Sequence, residues 1–160
     1  MFYKILLLNY VLSDLLSCFC YTHISCFGEA HFMGIEDLIP KDKFDDSHID
    51  ELNTIDKIEV IPILGTLLGW LKDPNWPVAQ ALFPVLPRFQ FELIDHILEI
   101  FHSSDDIWKN EILLLMANFD KENIVILAPE IKRIMTNPTS GERLEGTVDY
   151  AKTLLDKFAL

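Results

Sequence analysis

At 160 residues, half of them hydrophobic, the chain has one-domain length and enough apolar content to bury a core of its own. Thirteen basic against twenty-five acidic side chains give a formal charge of −12, which argues against a duplex nucleic-acid ligand, since phosphate binding needs clustered Lys and Arg. The balance admits small molecules and proteins, basic ones above all, because an acidic surface steers cations toward itself; its plainest reading is solubility.

The first 32 residues, "MFYKILLLNYVLSDLLSCFCYTHISCFGEAHF", differ in composition from everything after them. Cys18, Cys20 and Cys26 all fall here, with His23 and His31 close by. The Cys-x-Cys spacing fails the usual zinc pattern, so neither a metal nor a disulfide framework is expected. Lys4 and "ILLL" resemble a signal start, but Asn9 and Asp14 interrupt the apolar run. As a membrane anchor the same run would carry Asp14 near its centre, at about 2.5–3.5 kcal/mol. The adopted reading takes Met33 as the start of the protein proper. Residues 1–32 are then an extension outside the fold, and 33–160 a single cytoplasmic domain; export is the alternative if the extension acts as a signal. With Lys4 against Asp14 and Glu29 in the extension, residues 33–160 keep a charge of −11.

After Pro40 the apolar positions fall at helical spacing. Ser47 and Asp50 suggest a capping box ahead of a stripe of Ile49, Leu52 and Ile55. Residues 57–72 predict a helix with Ile61, Leu64, Leu67, Leu68 and Leu71 on one face, started or kinked by Pro62. Gly65 and Gly69 on that helix suggest close approach of a neighbour. Pro74 ends it, Asn75 or Trp76 caps the next, and Pro77 opens a face of Val78, Ala81, Leu82 and Val85. Residues 89–101 follow with Phe91, Ile94, Ile97, Leu98 and Phe101. Then come a capped helix bearing Trp108, Ile112, Leu115 and Met116, and one begun by Asp120 with Ile124, Leu127, Ile131 and Ile134. A turn at 136–142, with Thr139 or Ser140 as cap, leads to a last helix burying Leu144, Val148, Ala151, Leu155 and Phe158. No strand pattern of useful length appears.

The helices repeat. Asp73 aligns with Asp105, Trp76 with Trp108 and Leu82 with Leu114 at an offset of 32. Upstream, Leu64, Leu67, Leu68 and Leu71 match Ile94, Ile97, Leu98 and Phe101 at 30. A third copy matches Leu127, Ile131 and Ile134 to Ile94, Leu98 and Phe101 at 33. Periods near 30–35 residues with two helices each mark helical-hairpin arrays. The expected fold is all-α, a short right-handed solenoid of stacked antiparallel helix hairpins. Asp73, Asn75, Trp76 and Pro77, and again Asp105, Asp106, Trp108 and Lys109, form its recurring corner, either structural or partner-binding. Asp would satisfy free N–H groups, and Trp would fill the wedge between helices.

"LKDPNWPVAQAL" resembles HEAT and bilin-lyase-type repeats. More closely, "LIPKDKFD" (38–45), "LLGWLKDPNWPVA" (67–79), "SSDDIWK" (103–109) and "NPTSGE" (137–142) resemble a bacterial family known only as domain of unknown function 5071. The resemblance runs from Leu38 to the C-terminus and implies a helical-repeat domain with no assigned activity and no catalytic residue to carry over. In this chain "GTLLGWL" departs by placing two glycines where polar helix formers are expected.

Two classes of function follow. An interaction module would use exposed turns and aromatics, with Trp70, Trp76 and Trp108 as candidates and core packing as the competing role for each. Its charge suits a basic protein partner, one version being an immunity or antitoxin-like protein that neutralises a basic toxin. An enzyme would need Asp73, Trp76, Asp105 and Trp108 to converge as on base-processing helical-repeat folds, without the basic track such substrates require. His48, His96 and His102 are scattered, and Asp95 beside His96 points elsewhere on its helix. The expectation is a non-catalytic module with no cofactor, no metal, no nucleic acid and no membrane contact for the folded domain.

Overall fold

The apolar spacing after Pro40 becomes helix: among residues 34–160, which the computed structural model describes, there is no strand. The boundary expected at Met33, the cysteine cluster and the competing readings of the extension lie outside those residues. No helix among the described residues is long and apolar enough to cross a membrane.

Two short 3₁₀ turns come first, Ile35–Leu38 and Ile49–Asn53. The expected Ser47 cap does not form. Its hydroxyl donates to Asp45, and His48 stands at the N-cap, its ring bonded to the Glu51 carboxylate rather than to a backbone N–H of the turn. The single helix expected over 57–72 is cut into four pieces: α1 (Lys57–Val60), a 3₁₀ turn at Ile61–Ile63, α2 (Leu64–Gly69) and a 3₁₀ turn at Trp70–Lys72. Pro62 sits in the first of these turns, where its missing N–H and its ring interrupt the α-helical ladder. Ile61 is consequently exposed rather than on the buried face.

Helix α3 (Pro77–Leu82) is short, and the chain after it runs through a 3₁₀ turn at Leu86–Phe89 before α4 (Ile94–Phe101) begins. Phe91, expected on the buried face, is therefore outside any helix and 66% exposed. Arg88 fastens this connection to the N-terminal turns by donating to the carbonyls of Leu52 and Ile55. Then follow α5 (Asp106–Met116), α6 (Lys121–Thr136), α7 (Ser140–Leu144) and α8 (Thr147–Phe158). The last two were expected as one helix. Gly146, at φ 70°, breaks it, and Leu144 is left 84% exposed.

Helix α4 packs on both α5 and α6, and α8 packs on both α6 and α5. The buried positions of α2 with the 3₁₀ turn after it, of α4 and of α6 keep the expected phase: Leu64, Leu67, Leu68 and Leu71, then Ile94, Ile97 and Phe101 with Leu98 half-buried, then Leu127, Ile131 and Ile134. Each such side chain withdraws apolar surface worth about 1.5–3 kcal/mol. The second helices do not keep theirs. Leu82 is fully buried whereas Leu114 is 41% exposed. Burial instead pairs Val78, Ala79, Leu82 and Val85 with Ile112, Leu113, Met116 and Phe119, an offset of 34. Of the two glycines on α2, only Gly65 meets a neighbour. A Cβ there would lie 3.1 Å from the His96 ring, while Gly69 has nothing within 4 Å.

Candidate functional site

The two Asp-x-x-Trp corners share a spacing but not a structural position. Asp73 accepts from the Asn75 amide and from its side-chain Nδ2, both at 3.0 Å. It thus turns the chain and caps no helix. Residues preceding proline are held extended, and here Asp73 (ψ 104°) precedes Pro74 while Trp76 (ψ 133°) precedes Pro77. The helix therefore cannot start before Pro77, and Trp76 becomes its N-cap residue. The Trp76 ring meets Trp70 edge-on at 5.6 Å between centroids.

Asp105, by contrast, is the N-cap of α5 and accepts from the Trp108 amide at 3.1 Å. Trp108 is already inside the helix. Its indole Nε1 donates to the Leu68 carbonyl at 3.0 Å, and the Lys72 ammonium lies 4.4 Å over its ring. Trp108 also borders a cleft of about 180 Å³ that His96 and Gly65 help to line. The recurring corner is thus corrected in part: Asp105 satisfies a free helix N–H and Trp108 ties two helical layers, while Asp73 caps no helix and Trp76 stands before its helix, packed half-buried on Trp70 and the core.

Beneath the second corner lies a buried ion cluster. Lys109 is 1% exposed and Glu142 fully buried. Lys109 Nζ reaches Asp106 Oδ1 at 2.7 Å, one turn back on α5, and Glu142 Oε1 at 3.0 Å. Arg133 on α6 grips both Glu142 oxygens, at 2.6 and 2.8 Å. Arg133 Nε holds Glu130 at 2.7 Å, and His102 Nε2 stands 3.7 Å from that carboxylate. Thr139 and Glu142 complete a reciprocal capping box at the start of α7, at 2.8 and 3.1 Å. Gly141 belongs to the same packing, since a Cβ there would overlap the Asp106 carboxylate.

Burial alone would push the Glu142 carboxyl up. The bonds from Arg133, the Thr139 amide and Lys109 overcome that and hold it at about 2. Arg133 is in turn driven above its usual range by Glu142. A carboxylate at that pKa is too weak a base for proton transfer near neutrality. The arrangement joins α5, α6 and α7 structurally. Lys109 and Asp106 were among the corner residues read from the sequence; Glu142, Arg133 and Glu130 were not. The Thr139-x-x-Glu142 spacing signals a cap but not that the carboxylate is buried. Asp105, Asp106, Gly141 and Glu145 also edge an open depression of about 370 Å³. Among the described residues, no three His, Cys, Asp or Glu side chains converge as metal ligands would.

A second feature was not anticipated. Between α5 and α8 runs a groove of about 240 Å³, lined by Leu113, Leu114, Ala117, Tyr150, Thr153 and Leu154, with Asp149 and Lys157 also bordering it. Leu113 and Leu154 are buried, whereas Leu114 and Tyr150 remain about 40% exposed. Lys157 Nζ donates to the Ala117 carbonyl at the end of α5, at 2.6 Å. The volume falls below the roughly 300 Å³ at which small-molecule pockets begin. Glu111, one turn before Leu114, is pushed up by burial and makes no ion pair among the described residues.

No curated protein matches the chain. A family model does, over residues 38–155, nearly the whole of the described domain. The chain belongs to the family described as domain of unknown function (DUF5071).

Proposed function

We propose that the domain is a HEAT-like stack of helix hairpins, a short right-handed solenoid, acting as a non-catalytic module that binds a basic protein partner. Support for the stack comes from the packing of α4 with α6 and α5 with α8, the row-on-row pattern of successive hairpins. The observation that carries the functional reading is the contrast between the two features of α5. Its interior charges are consumed by one another, whereas its outer face contributes exposed apolar side chains to a groove bordered by Asp149 and Lys157, on a chain of net charge −12. A charge of −12 favours an immunity-like role against a basic toxin as the second reading.

The test is capture of basic candidate proteins on the immobilised chain at low and high salt. Retention that falls steeply with ionic strength is the expected result. Retention indifferent to salt, or an equal preference for acidic candidates, would overturn the basic-partner reading.

A further inference from the structure

We draw no further inference here: the strongest candidate, the cleft of about 180 Å³ bordered by α2, α4 and α5, has a rim of one imidazole, one carboxylate and one hydroxyl (His96, Glu99 and Ser103) that suits no one class of ligand above another, and nothing in the structure shows what covers it.

Discussion

Glu142 is the residue on which most of the charge chemistry of this domain turns. Breaking a buried pair by neutralising one member costs about 3–5 kcal/mol, because the remaining charges stay desolvated. Glu142→Gln keeps the volume but leaves Arg133 and Lys109 without their shared anion. The expected loss is about 3 kcal/mol, a fall in Tm of about 10 °C for a domain of this size, read by thermal unfolding at pH 7. Lys109→Met is expected to cost less, since Glu142 keeps Arg133 and the Thr139 amide. The pH dependence has a definite sign. The folded carboxyl titrates at about 2 against an ordinary 4.5. Its contribution is complete above 4.5 and is lost as the pH falls from there toward 2. In Glu142→Gln the slope of stability against pH in that window is expected to flatten, and an unchanged slope would assign acid sensitivity to other carboxylates.

At the scale of elements, the two corners make a matched pair for mutation. Asp105→Ala removes a true N-cap and is expected to cost about 1 kcal/mol, whereas Asp73→Ala removes two exposed bonds within a turn and is expected to cost less than half of that. Chemical denaturation of the two single variants decides it; equal losses would restore the idea of one corner built twice. The same pair shows what was legible. Helical periodicity named the buried faces of α2, α4 and α6 in correct phase, because a 3.6-residue stripe depends on neighbours within one helix. It failed where the backbone is set by a single residue, Pro62 cutting the first long helix and Gly146 turning left-handed before α8, whereas Pro77 opens α3 behind Trp76 as the spacing predicts. The repeat was aligned on Asp and Trp, the most conspicuous letters. Burial aligns it on Val78 and Ile112 instead, two positions further along. The ion cluster was legible only in fragments, as Asp106–Lys109 and Glu130–Arg133 at i, i+3 and as the Thr139–Glu142 cap. Joining them needs the turn between α6 and α7, whose path no spacing rule supplies. The groove was missed because Leu114 and Tyr150 lie beside the main stripes of their helices, while Leu154, buried on the stripe of α8, only floors it.

For the molecule as a whole, the acidic balance and the helical layers act on different partners: one on whatever approaches, the other on the chain itself. The cluster of Lys109, Arg133 and Glu142 draws on three segments, α5, α6 and α7, and becomes dry only when all three have docked. Such a contact contributes little while the chain is still crossing its folding barrier and much once the crossing is complete. The time course of refolding and unfolding should therefore respond unequally to acid. Stopped-flow denaturant chevrons at pH 7 and pH 3 are expected to share nearly the same refolding limb, while the unfolding limb rises severalfold at pH 3. A protein clasped in this manner resists opening through slow escape from the native state rather than rapid return to it.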